Sequence, residues 1–161
     1  MRTLHKEIVV SESKELIWYA WTISERVSQW FAPAANIDPR VGGAFELFFI
    51  PGNKEQMNTK GCKITSLSPM EQLSFTWKGP DDFAGLMNSS DSLTEVQVRF
   101  TQAGDKTTNV TIEHTGWGTG EQWDKAFQWH EMAWTQVLNS LKTALESGEG
   151  ELCCSPGQSA S

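Results

Sequence analysis

Two histidines, His114 and His130, are the residues of this chain best suited to do chemistry. A neutral imidazole offers one donor and one acceptor, enough to orient a ligand carbonyl or hydroxyl or to carry a proton. His114 closes a run in which Val110, Ile112 and His114 share one strand face, and His130 falls on an apolar helical stripe. Both rings can therefore look into one space. The competing reading is a histidine satisfied in the core or at its rim, by backbone or by a carboxylate such as Glu113 or Glu131. Glu46, in Ala44-Phe45-Glu46-Leu47-Phe48, would have a raised pKa if buried. Both faces of that strand are apolar, so alternation does not fix its side, and the solvated side is the expectation.

Nothing local completes a catalytic apparatus. The sequence has no G-x-S-x-G, no P-loop, no G-x-G-x-x-G after a strand and no H-E-x-x-H, since no second histidine follows His130-Glu131 at that spacing. Cys62 on a strand reads as a small buried hydrophobe. Cys153 and Cys154 are neighbours in a small-residue tail, with neither a disulfide framework nor a zinc spacing. No catalytic residue, metal ligand or cofactor is assigned, and an enzyme is not the favoured reading.

The elements that must position the histidines follow from periodicity. Trp123, Phe127, Trp134, Val137, Leu138, Leu141 and Leu145 recur at steps of three, four and seven, which predicts a long helix from Thr119 to about Ser147. Thr119 with Gln122 is a candidate capping box and Gly148 a stop. Leu4 to Val10 reads as a first strand, followed by a helix from Lys14 to Trp21 capped by Ser11 or Ser13. Thr22 with Glu25 opens a second helical turn ending near Trp30. About five strands come next: Ala44 to Ile50, Gly61 to Leu67, Gln72 to Lys78, Leu93 to Gln102 and Thr107 to His114. Gly42-Gly43 predicts a bulge or bend where backbone passes close to another element. Gly79 to Ser92 is a long connection, a candidate lid carrying Phe83, Leu86 and Met87. The expectation is α+β, with one domain over residues 1–148 and a flexible tail over 149–161.

The composition carries eight Trp and eight Phe against one Tyr. Such an excess fits a large core, a ligand cavity or both. As a ligand site, the candidate lining is Trp77, Phe100, His114, Trp123, Phe127, His130 and Trp134. Burying ~250 Å² of ligand apolar surface is worth ~6 kcal/mol before association costs, which supports micromolar binding. A net charge of −7 argues against nucleic acid and anionic membrane surfaces. No apolar run approaches the roughly 18 residues of a membrane span, and no secretory leader is evident, so the expected location is cytoplasmic.

Trp30-Phe31-Ala32-Pro33, Asp38-Pro39-Arg40-Val41-Gly42-Gly43, a Gly61-opened strand running to Phe75-Thr76-Trp77, Thr111 to Gly116, and His130-Glu131-Met132-Ala133-Trp134 with Leu138 and Leu141 occur in a familiar order. From about Glu7 to Glu146 the chain resembles the START-like (SRPBCC) superfamily, in the branch named after the activator of heat-shock protein 90 ATPase. The resemblance implies a helix-grip fold: a curved antiparallel sheet wrapped around the C-terminal helix, with two short helices after the first strand. It also implies an apolar cavity between sheet and helix, and hence a small hydrophobic ligand as partner. A chaperone partner is the alternative, a cyclase- or hydrolase-like enzyme the next, and a homodimer is compatible with each. Fold does not choose among them.

Overall fold

The computed structural model describes residues 3–50, 53–80, 83–88 and 93–147. Their order is β1 Leu4–Val10, α1 Lys14–Thr22, α2 Ser24–Val27, β2 Ala34–Ile37, β3 Phe45–Ile50, β4 Asn53–Asn58, β5 Ile64–Ser68, β6 Gln72–Trp77, α3 Ala84–Met87, β7 Thr94–Gly104, β8 Thr107–Thr115 and α4 Glu121–Ser147. The expected tail, with Cys153 and Cys154, the Gly148 stop and the Pro51-Gly52 turn lie outside the described residues.

The strands pair antiparallel in two groups, β1-β8-β7-β6-β5 and β2-β3-β4. A bridge between Ala44 and Lys63 carries the pairing from one group to the other. Beside it, the Phe45 N–H donates to the Cys62 carbonyl (2.9 Å) and the Ile64 N–H to the Gly43 carbonyl (2.8 Å). The two groups thus form one curved surface. Glycine at position 43 permits the bend, because a β-carbon there would collide with the Asp38 carbonyl. A register shift between Phe48 and Ile50 adds a bulge to β3, which sharpens the local twist.

Alternation sets the inner face. Phe45, Leu47, Leu73, Phe75, Val96, Val98, Val110 and Ile112 are all fully buried, with Phe45 and Phe75 stacked at 3.8 Å between ring centroids. Against this face α4 lays Ala126, His130, Trp134, Leu138, Leu141 and Leu145. A helix of 27 residues spans about 40 Å, and burial of this stripe supplies most of its stability. Its C-terminal half is tied down by polar contacts: Lys142 Nζ donates to the Val9 carbonyl (2.8 Å), and Glu146 accepts from the Ser11 N–H (2.9 Å). The α1 helix closes one end, its Trp18 and Trp21 meeting Phe100 at 5.9 and 6.5 Å. The arrangement is the α+β helix-grip.

Three elements come in addition to the expected ones: β2, β4 and α3. Two caps differ as well. Thr22 does not open the second helix; its hydroxyl donates back to the Trp18 carbonyl (2.8 Å) inside α1, and α2 starts at Ser24 with no side-chain cap. The long helix opens at Glu121, where the Gly120 carbonyl takes the Asp124 N–H (2.9 Å), leaving Thr119 outside it. Gly120 has φ +114, and this left-handed approach suits a glycine better than a threonine box. Ser13 does cap α1, accepting the Leu16 N–H at 3.3 Å.

Candidate functional site

The sheet–helix seam has an inner part and a mouth. In the inner part each histidine closes a buried indole. His114, at the end of β8, is fully buried and accepts the Trp134 Nε1–H on Nδ1 (3.0 Å). Its Nε2 therefore carries the proton and donates to the Thr94 hydroxyl (2.8 Å). His130, on α4, accepts the Trp77 Nε1–H on Nε2 (3.1 Å), so its Nδ1–H donates to the Ala126 carbonyl one turn back (2.8 Å). A third indole, Trp117, donates to the His114 carbonyl (2.8 Å).

All four ring nitrogens are engaged, and the rings meet edge to face at 5.4 Å. Burial pushes the His130 imidazole down to about 4, only partly opposed by its bond to the Ala126 carbonyl. Burial, with His130 beside it, holds His114 well below the ordinary histidine range. Two neutral imidazoles with every lone pair and N–H committed have no proton to trade. They hold the core together. Glu113 lies instead 4.0 Å from the exposed His5.

The mouth is different. Phe49, Asn58, Trp77, Lys78, Gly79, Pro80 and Trp129 border an apolar cleft of about 220 Å³. A smaller space of about 60 Å³ shares Phe49, Trp77 and Trp129 as walls and reaches inward past Ala133 to His130 and Trp134. The two spaces are parts of one site. The short helix α3, inside the connection expected as a lid, abuts the cleft. Asn88 accepts the Gly79 N–H (2.8 Å) and donates to the Gly79 carbonyl (3.2 Å), pinning α3 to the end of β6. Phe83 meets Trp129 edge to face at 6.4 Å, and Met87 is fully buried.

Of the seven candidate lining residues, Trp77, His130 and Trp134 border this site. The other four do not. Phe100 packs against Trp18 and Trp21 at the far end, and His114 sits behind Trp134. Trp123 and Phe127 meet Trp117 edge to face at 6.2 and 5.2 Å. Sequence reasoning did not find Phe49, Lys78 or Trp129. Trp129 lies one residue off the buried stripe and is 42% exposed, an unusual position for a tryptophan beside a buried histidine.

Two other groups are chemically quiet. Cys62 is fully buried and burial pushes its thiol up to about 11, so it has no thiolate character at neutral pH. Glu46 holds structure, accepting from Asn36 Nδ2 (3.0 Å) and the Gly61 N–H (2.8 Å). Among the described residues no three histidine, cysteine, aspartate or glutamate side chains gather as metal ligands. No helix among them is long and apolar enough to cross a membrane.

A sheet gripping a single long helix, with aromatic walls at its mouth, defines a START-like domain. The chain belongs to the Activator of Hsp90 ATPase homolog 1-like protein family, whose pattern it matches over residues 12–146. Solved structures share the fold. A Mesorhizobium loti protein superposes with a TM-score of 0.72 at 21% identity, covering 92% of this chain and 100% of that one. The Aha1 dimer from Colwellia psychrerythraea gives 0.70 at 23% identity, covering 93% and 100%. An HSP90 activator from Plasmodium falciparum gives 0.69 at 14%, covering 91% and 97%. Among curated proteins no sequence matches the chain.

Proposed function

We propose that this chain is a small-molecule-binding domain whose hydrophobic ligand sits at the mouth of the sheet–helix seam. The observation that carries the proposal is the apolar cleft of about 220 Å³ walled by Phe49, Trp77 and Trp129, opening beside two histidines whose ring nitrogens are already paired. Its volume is below the ~300 Å³ at which drug-sized pockets begin, so the ligand is small, a ring system or a short acyl chain. Trp77, His130 and Trp134 serve as wall and floor. Phe100, His114, Trp123 and Phe127 act behind it, as support.

A second reading has its own observation. Trp129 and Met132 are 42% and 68% exposed on neighbouring turns of α4, a surface suited to a protein partner or a second copy of the chain. The relatives named as an Aha1 dimer and an HSP90 activator give that reading its partner class. A cyclase- or hydrolase-type reaction has less support, because the seam's two histidines are neutral and committed.

Native mass spectrometry on protein purified gently from its source cells tests the first reading. A reproducible added mass, lost in Trp129→Ala and in the space-filling Ala133→Leu, is the expected result. A bare chain mass, with no tryptophan quenching across a panel of lipids and aromatic compounds, would move the assignment to the interaction surface.

A further inference from the structure

We infer that the ligand of this cleft is a flat ring carrying a short apolar group, and that Ala133 sets the room for that group. The inference rests on the cleft being a ligand site and adds the class of ligand and the residue that selects it. The site has two unequal parts, about 220 Å³ at the mouth and about 60 Å³ behind it, joined at Phe49, Trp77 and Trp129. Three aromatic rings around the larger part suit a flat molecule of one or two fused rings. The smaller part admits about two water-sized groups of ~30 Å³ each, the bulk of an ethyl.

The smaller part follows α4. Trp129, Ala133 and Val137 all border it, and their spacing makes them one row on the helix, beside the buried row of His130, Trp134 and Leu138. From Trp129 to Val137 the helix rises about 12 Å, so the site is longer than it is wide. Ala133 is the smallest side chain of its row. Among the other walls Phe31 already meets Trp77, Phe49 and Trp134 at 6.1, 6.3 and 5.8 Å between ring centroids. The room that is left therefore depends on Ala133. Its surroundings are apolar in effect. The Trp77 indole is bonded to His130, the Trp134 indole to His114, and the second His130 nitrogen to the Ala126 carbonyl. A hydroxyl or a charge carried inward would lose its water and find those partners taken, which burial penalises. An alkyl group meets ring surface instead, and the bonds behind Trp134 stay as they are.

The test compares 2-naphthamide with its 6-ethyl and 6-hydroxy derivatives by calorimetry on the full chain, in wild type, Ala133→Val and Ala133→Leu. Thermal melts check folding, and the valine variant carries the test if leucine is not accommodated. Each methylene buried tightens binding about fourfold, so the ethyl compound is expected to bind wild type at least tenfold tighter than 2-naphthamide. The hydroxy compound is expected to bind no tighter than the parent. Ala133→Leu removes the ethyl advantage and Ala133→Val reduces it, while affinity for 2-naphthamide itself stays the same. Equal affinity of the ethyl compound and the parent for wild type overturns the inference and leaves a ligand at the mouth standing. So does an ethyl advantage that survives both substitutions, or a hydroxy compound that gains as much as the ethyl one. Failure of all three compounds to bind also overturns it, and a bare chain in native mass spectrometry would then remove the ligand site itself.

Discussion

The inner seam and the mouth are built from the same residue types and end in opposite states. Trp134 and Trp77 each hand an indole hydrogen to a histidine, and both histidines pass their own proton to oxygen. Phe49 and Trp129, at the mouth, border open space instead. Aromatic content alone therefore does not mark a ligand site. What marks it is whether open apolar volume remains among the rings. Trp21, whose buried indole nitrogen has no partner among the described residues, is core all the same, because Trp30, Phe31 and Phe100 fill the space around it. Phe49 and Trp129 border open apolar volume that can receive a molecule.

Tryptophan truncation is the most forceful way to break this contrast. Trp134→Ala removes a fully buried ring and orphans the acceptor nitrogen of His114, so a loss of about 3–5 kcal/mol is expected in urea unfolding. Trp129→Ala, at a 42% exposed position, is expected to cost about 1 kcal/mol or less while abolishing ligand uptake. Similar losses for both would erase the distinction between the two regions.

Acid sharpens it. An unfolded imidazole takes its proton near 6.5, whereas His130 in the fold resists protonation down to about 4. Between those values the unfolded chain binds more protons, so stability is intact above about 6.5 and falls as pH drops. His130 alone accounts for roughly 3 kcal/mol by pH 4, and His114 adds in the same direction. Glu12, whose carboxyl burial raises, acts with the opposite sign and offsets part of the loss. Urea midpoints at pH 7 and 4.5 measure the balance. A flat profile across that window would show that the two histidines are not neutral in the fold.

How much of this was legible in the sequence depended on the range of the interaction. Strict alternation at Leu73-Phe75-Trp77, Val96-Val98-Phe100 and Val110-Ile112-His114 gave the inner sheet face, and the α4 stripe gave the element that covers it. The strand Asn53–Asn58 carries no such pattern; it is polar except for Met57 and exists by pairing with β3. The histidine pairings were not legible, because Trp77 and His130 are 53 positions apart and only the curvature of the sheet brings them together. The cleft was missed for a related reason. Its walls come from the ends of β3, β4 and β6 and from one α4 residue off the stripe, positions that periodicity treats as leftover.

The central claim, that a ligand takes the mouth and leaves the inner seam untouched, is tested most directly by following the indole Nε1–H resonances of the eight tryptophans on adding a flat neutral compound such as 2-naphthamide. The account predicts the largest shift at Trp129 and a smaller one at Trp77, with Trp117 and Trp134, both bonded to His114, unmoved. A spectrum in which Trp134 and Trp117 move most, while Trp129 stays in place, would put the ligand among the histidines and contradict it.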